Sequence, residues 1–332
     1  MWYEKTVALV EKQIKEQVYP GASFAFLRGE KVETHVLGLA QTVPKTEILL
    51  ENMLYDMASI TKVVCTTNVL LKLWEVGKID IDVPFQVYYP SFEDERVTIR
   101  HLLTHTSDIN PWIENRDNLS ASELKEAFNH LKSGENLGKV FKYTDTGTVL
   151  LGFMIENLYG KNAQEVFQQE VLLPLDLSAS QFQPVQPTKR AVPTEIHPTR
   201  GLIRGWTHDP KAYKLGVHAG SAGLFSTLQD MVHFVQGEFF KKEYLLPSTI
   251  DSLLQDYTPT GDLGRSLGWD LLENKTHEPI LFHSGFTGTF LLIDVLHQEG
   301  FVFLSNRVHP ENHREAYLRT REELIATYLE EK

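Results

Sequence analysis

At 332 residues the chain is long enough for one large core or two smaller ones, and 42% hydrophobic with 23% charged residues is an ordinary globular balance. The net charge of −12, with no stripe of Lys and Arg, excludes a nucleic-acid-binding surface. A single cysteine, Cys65, excludes an internal disulfide and a cysteine-based metal cluster.

The first segment, MWYEKTVALVEKQIKEQVYPG, reads as an amphipathic helix. Glu4, Lys5, Glu11 and Lys12 interrupt its apolar run, so it lacks the apolar stretch of a signal peptide. No later segment offers the ~18 apolar residues of a membrane span, and the expected location is cytoplasmic. GASFAFLRGEKVETHVLGLAQ alternates about Arg28-Gly29-Glu30 and predicts a hairpin. From Met57 to Gly77 the period becomes helical, with Val63, Val64, Leu70, Leu71 and Trp74 on the apolar part and Cys65 as a small core residue.

Short helices are expected over VTIRHLLTH, SASELKEAFNHL, TGTVLLGFMIENLYG and AQEVFQQEVLLPL, and an extended loop over the Pro-rich residues 182–193. EPILFHSG and GTFLLIDVLHQEGFVFLSNR predict three strands, the last two joined at His297-Gln298-Glu299-Gly300. A charged helix, ENHREAYLRTREELIATYLEEK, follows. Strands near both ends with helices between them predict an α/β protein of the α+β type. One antiparallel sheet is flanked by helices and accompanied by a mostly helical subdomain. The expected boundaries are 1–62 with 200–332 for the sheet-containing part and 63–199 for the helical part, with the active site in the cleft between them.

Three short patterns carry chemistry. Ser59-Ile-Thr-Lys62 opens the helix of YDMASITKVV and puts a hydroxyl and an amine on one face. A serine becomes a nucleophile only when a base takes its proton, and lysine is that base only if its environment lowers its proton affinity. The same residues also fit a helix cap followed by a surface lysine. Tyr143-Thr-Asp145 precedes a helix and fits either a proton-relaying phenol or a half-buried tyrosine beside a cap. His283-Ser284-Gly285-Phe286 ends a strand, where a glycine lets a substrate approach and a backbone N–H can stabilise an oxyanion. An ordinary strand-ending turn fits it too.

Three other patterns carry less. A second Ser-x-x-Lys, Ser122-Glu-Leu-Lys125, looks like a capping-box start. His218-Ala219-Gly220 competes with His283 but lacks bracketing strands. His101 and His105, four apart without a third ligand in view, read as packing residues rather than a metal site.

Taken in order, Ser-x-x-Lys, Tyr-x-Asp and His-Ser-Gly resemble the serine β-lactamase and penicillin-binding protein superfamily, most closely its class C and esterase branch. The resemblance extends to the hairpin GASFAFLRGEKVETHVLG, to VTIRHLLTHTS, to AGSAGLFSTLQDMVHF and to HSGFTGT. It implies Ser59 as acyl-accepting nucleophile, Lys62 as base, Tyr143 as proton relay, and the N–H groups of Ser59 and Phe286 as oxyanion hole. Asp145, His283, Ser284, Gly285 and Phe286 would contact substrate. No cofactor or metal is implied, and the expected partner is a small ester, amide or peptide-like molecule.

Three positions depart from the family pattern. Asp145 replaces asparagine and adds a negative charge that favours protonated Lys62. His283 replaces lysine, giving up a permanent charge for a group that titrates near pH ~6.5. Asp108 replaces glycine, at a position where aspartate tolerates left-handed backbone. The first two shift the expectation from carboxylate-bearing β-lactams toward esters and amides.

Overall fold

The computed structural model describes residues 2–332. The chain runs α1 (Glu4–Lys15), β1 (Gly21–Arg28), β2 (Lys31–Gln41), β3 (Glu47–Ile48), α2 (Thr67–Glu75), α3 (Thr146–Tyr159) and α4 (Leu228–Val235), then β4 (Asp270–Glu273), β5 (Pro279–Gly285), β6 (Thr289–Asp294), β7 (Glu299–Ser305) and α5 (Arg314–Glu331). A further helix, Ala121–Asn129, and short helical turns join α2 to α3, and more short turns join α3 to α4.

The seven strands form one antiparallel sheet in the order β3-β2-β1-β7-β6-β5-β4. Its halves come from the two ends of the chain and meet where β1 pairs with β7, Phe24 opposite Phe303. The expected hairpin and the three late strands are all present. The last turn, residues 295–298, runs two residues earlier than expected, because Glu299 and Gly300 already pair with Asp294 and Ile293. The edge strand β4 has no counterpart in the expectation: Asp270-Leu-Leu-Glu273 is too short to alternate visibly.

Alternation along the strands divides two apolar layers. Phe24, Phe26, Phe282, Phe290, Phe301 and Phe303 face outward against Val7 and Val10 of α1 and Tyr317, Leu324 and Tyr328 of α5. Ala25, Leu27, Leu281, Leu291, Ile293, Val302 and Leu304 face inward against α2, α3 and α4. Each fully buried Phe is worth about 1.5–3 kcal/mol of apolar burial.

Helix α1 ends at Lys15, short of the expected stretch, because Gln17 turns left-handed (φ 60°) and the Val18 N–H returns to the Gln13 carbonyl (3.0 Å). At its start Tyr3 supplies no side-chain cap. The Glu331 carboxylate of α5 takes that place, accepting from the N–H groups of Lys5 (2.8 Å) and Thr6 (2.7 Å).

A small three-stranded sheet of Tyr55–Asp56, Leu224–Ser226 and Gln181–Phe182 lies under the start of α2. The Pro-rich stretch is otherwise a loop with one tight turn, Thr188–Arg190.

Candidate active site

The turn that presents Ser59 is tied down from three sides. Asp56 accepts from the Ala58 N–H (2.8 Å) through one carboxylate oxygen and from the His208 N–H (2.7 Å) through the other. Thr287 donates to the Asp56 carbonyl (2.6 Å), and Thr289 donates to the Met57 carbonyl (3.2 Å). Gly285 makes this approach possible, since a Cβ there would stand 2.6 Å from the Met57 carbonyl oxygen. Ala58 is held left-handed (φ 45°), a conformation costing an ordinary L-residue roughly 1–2 kcal/mol. Lys62–Thr66 then forms a π turn before α2 begins, an irregularity common at functional sites.

Lys62 is 1% exposed. Its Nζ lies 2.7 Å from Ser59 Oγ, 2.8 Å from Asp145 Oδ1 and 3.1 Å from the Ser221 carbonyl. Asp145 and the Ser221 carbonyl can only accept, so two N–H bonds point to them in either protonation state. The third position faces Ser59 and holds an N–H in the ammonium or a lone pair in the amine, so the same geometry serves donor and base.

Burial opposes the charge on Lys62, but Asp145, followed by the Tyr143 phenol, outweighs it and holds the amine above its ordinary range. Burial likewise opposes the Asp145 carboxylate, while Lys62 and Lys211 hold it well below the usual range. Lys211 Nζ sits 2.8 Å from Asp145 Oδ2 and 3.2 Å from Asp209 Oδ2. The expected pressure of Asp145 toward protonated Lys62 is therefore present, together with a second lysine that the sequence reading did not include.

Tyr143 is 43% exposed, with Lys62 Nζ 5.4 Å from its ring centre. Its ring lies against His105 (4.5 Å) and near His283 (6.2 Å). Both histidines are buried. Burial, with Lys62 and Arg265 adding to it, holds each well below its ordinary range, so both are neutral. His283 thus brings no cation to the cleft. His101 instead caps the turn Ile99–Leu103 through Thr98.

Arg265 is buried behind Phe141 (5.1 Å to the ring centre) and paired with Asp270. Burial brings its guanidinium down to about 10, so it remains charged at neutral pH.

Ser59, Tyr143, Asp145, His283, Ser284, Gly285 and Phe286 all line one cavity of about 680 Å³, at the end of the sheet where its two faces meet. Phe141 and Phe286 expose their rings to it. Lys211 and three arginines, Arg307, Arg314 and Arg321, complete the wall. Arg321 donates to Ser284 Oγ (3.0 Å), and Arg307 donates to the Phe286 carbonyl (2.8 Å). Burial, reinforced by repulsion from Arg314 and Arg321, brings Arg307 down to about 10. None of the three forms an ion pair with a carboxylate among the described residues. In a chain of net charge −12 they make one positive stretch of a lining that also holds Asp145, Asp209 and Asp270.

The family profile described as Beta-lactamase matches residues 7–325. The chain belongs to the beta-lactamase family. It is 25% identical over 361 aligned residues to N-acetylmuramyl-L-alanine amidase of Bacillus subtilis (strain 168), covering 92% of this chain and 82% of that one. It is 28% identical over 306 residues to a putative D-alanyl-D-alanine carboxypeptidase of Salmonella enteritidis PT4 (strain P125109), covering 78% and 70%. In fold it matches a β-lactamase/D-alanine carboxypeptidase from Pseudomonas syringae with a TM-score of 0.79 at 16% identity, over 99% of this chain and 98% of that one. It is thus a beta-lactamase-family hydrolase with a mixed α/β fold, and no described helix is long and apolar enough to cross a membrane.

The other sequence candidates take structural places in this fold. Ser122 lies within the capping box formed by Ser120 and Glu123, and Lys125 pairs with Glu156 (2.7 Å). His218 pairs with Glu156 (2.6 Å), away from the cavity, while the following Gly220–Ser221 segment forms the floor under Lys62. Asp108 is left-handed at φ 48°. Lys211 and the arginines escaped notice because Lys211 sits in a six-residue helix, Arg307 in a loop, and Arg314 and Arg321 on a charged helix, where a cation is the default surface residue. The unusual density of unpaired arginines in SNRVHPENHREAYLRTR was the one signal for them.

Proposed function

We propose that this hydrolase opens an ester, amide or peptide-like bond through an acyl-enzyme on Ser59. The observation that carries this reading is the 2.7 Å contact between Ser59 Oγ and a fully buried lysine amine at the wall of the cavity. Ser59 Oγ attacks the substrate carbonyl carbon as its proton passes to Lys62 Nζ. The N–H groups of Ser59 and Phe286, neither of which donates to another described residue, receive the developing oxyanion. The tetrahedral species then expels the alcohol or amine, which takes a proton relayed through the Tyr143 hydroxyl. Water attacks the Ser59 ester, and the acid leaves.

The arginine wall supports a substrate with an anionic end. Ser284 and Arg321 would hold that group, while neutral His283, Gly285 and Phe286 shape the floor, and Asp145 acts through Lys62. This moves the anchor for a carboxylate from position 283 to α5 and restores carboxylate-bearing amides as substrates. The relatives' names, an amidase and a carboxypeptidase, agree with amide chemistry.

A second reading is supported by the three acceptors around Lys62 Nζ. An amine held as ammonium activates the deacylating water poorly, and a β-lactam would then acylate Ser59 and remain attached.

The test is hydrolysis of p-nitrophenyl acetate and of a D-alanyl-D-alanine peptide by the wild type and Ser59→Ala, with the intact mass measured after benzylpenicillin. Loss of both activities in the variant is the expected result. Unchanged hydrolysis would return Ser59 to a helix cap. A stable mass increase equal to the penicillin, absent in Ser59→Ala, would favour the second reading.

A further inference from the structure

Lys62 meets a difficulty in its own geometry. A base must be able to lose its proton, yet the carboxylate beside it stabilises the charged form. The two oxygens of Asp145 are divided, Oδ1 going to Lys62 (2.8 Å) and Oδ2 to Lys211 (2.8 Å). Lys211 is held in turn by Asp209 (3.2 Å), whose other oxygen caps the short helix Pro210–Leu215 by accepting from the Ala212 N–H (2.8 Å). The result is a row of alternating charge, Lys62–Asp145–Lys211–Asp209, running from the serine to the cavity rim, with Lys211 on the cavity wall.

Resting on the Ser59 reading, we infer that Lys211 is a positioning residue that shares the charge of Asp145 with Lys62 and so allows the Ser59–Lys62 pair to pass a proton. With Lys211 present, the charge of the carboxylate beside Lys62 is partly compensated. Without it, the full negative charge falls on the buried amine and keeps it charged. The repulsion between the two ammonium groups acts in the same direction.

The other groups facing this row do not replace Lys211. Tyr143 lies over Lys62, and its ionisation would only deepen the hold on the proton. His105 and His283 are neutral. Arg265 has its own carboxylate in Asp270. Ser59 and the Ser221 carbonyl complete the shell of Lys62 without charge. Lys211 is therefore the only cation besides Lys62 in contact with Asp145 among the described residues.

The experiment is the pH dependence of kcat/KM for p-nitrophenyl acetate, a neutral ester that offers Lys211 no anion to bind. It compares wild type, Lys211→Met, Lys211→Gln, Lys211→Arg, Asp145→Asn, the Lys211→Met/Asp145→Asn double variant and Ser59→Ala. The limb that rises with pH, as Lys62 loses its proton, is expected to move upward by about one pH unit in Lys211→Met and Lys211→Gln, a drop of roughly tenfold below the limb. Lys211→Arg should follow the wild type, and the double variant should return the limb to the wild-type position or below it.

A loss in Lys211→Met and Lys211→Gln that the double variant does not recover would overturn the inference, as would a Lys211→Met rate equal to that of the wild type below the limb. An inactive Ser59→Ala with an unmoved limb defeats the role of Lys211 alone. An active Ser59→Ala defeats the serine reading, and this one with it.

Discussion

The outer face of the sheet and the cleft at its end are separated by one peptide bond of β5, and they are built from different materials. Phe282 and Ser284 point toward α5, whereas Leu281 and His283 point toward the helical side. On the outer face aromatic rings pack on aromatic rings, as where Phe290 stacks on Phe303 at 5.0 Å, and the buried carboxylate of Asp294 is paired with Lys332. In the cleft the charges of Lys62, Asp145 and Lys211 are held against one another. The outer layer needs only area and fit, so its stability is shared over many side chains. The cleft concentrates its energy in a few contacts, so single changes there should act on chemistry rather than on folding.

The largest expected effect tests the cleft side of this contrast. Lys62→Met should reduce kcat/KM for p-nitrophenyl acetate by about 10²–10⁴, the usual share of a general base, while the chain still melts cooperatively. Global unfolding of that variant would erase the distinction.

Next, Phe26→Ala should cost about 3–5 kcal/mol in denaturant unfolding, with kcat/KM per folded molecule unchanged. Altered catalysis in a still-folded variant would couple the two regions.

A smaller effect concerns a buried acid with no partner. Glu238 is fully buried, neither oxygen finds a hydrogen bond among the described residues, and burial pushes its carboxyl up to about 8 from an ordinary 4.5. A raised folded-state value means that the wild type loses stability as pH climbs from about 4.5 to about 8. Glu238→Met should remove that slope and leave the protein more stable at pH 8, as read by unfolding midpoints across the range. A slope that persists in the variant would assign it to other groups.

The smallest is a matter of selectivity. Arg321→Ala should weaken kcat/KM for a carboxylate-bearing peptide by roughly tenfold, the value of one charge-assisted hydrogen bond, and leave p-nitrophenyl acetate untouched. Equal loss on both substrates would make Arg321 a support for β5 rather than an anion anchor.

Much of this architecture was legible beforehand because it rests on period. The alternation of FAFLR and FVFLS marks β1 and β7, and the helical spacing after Met57 marks the run that buries Val69 and Leu70. Ser59, Lys62, Tyr143 and His283 could be picked out because their spacing resembles a family pattern, and they line or adjoin one cavity. The rest was hidden for physical reasons. Lys211 and Arg321 become informative only when tertiary contacts set them beside Asp145 and Ser284, distant in the chain. The neutral state of His283 depends on burial and on Lys62 and Arg265, none of which its tripeptide encodes. The edge strand β4 is held by pairing with β5, not by its own four residues.

The π turn at Lys62–Thr66 has a consequence for how this chain tolerates changes in length. An α-helix advances about 100° per residue, and the wider turn absorbs one residue without passing that rotation on. Ser59 and Lys62 on one side of it and the buried body of α2 on the other are therefore set in separate phases. Deleting one residue within Val63–Thr66 would convert the wide turn into an ordinary α turn and leave Val69, Leu70 and Leu73 facing the core, whereas deleting one within Thr67–Glu75 would swing the residues beyond it by about 100°. The side chains of Val63, Val64, Cys65 and Thr66 are fully buried, so this short segment should accept a change of count more readily than a change of identity.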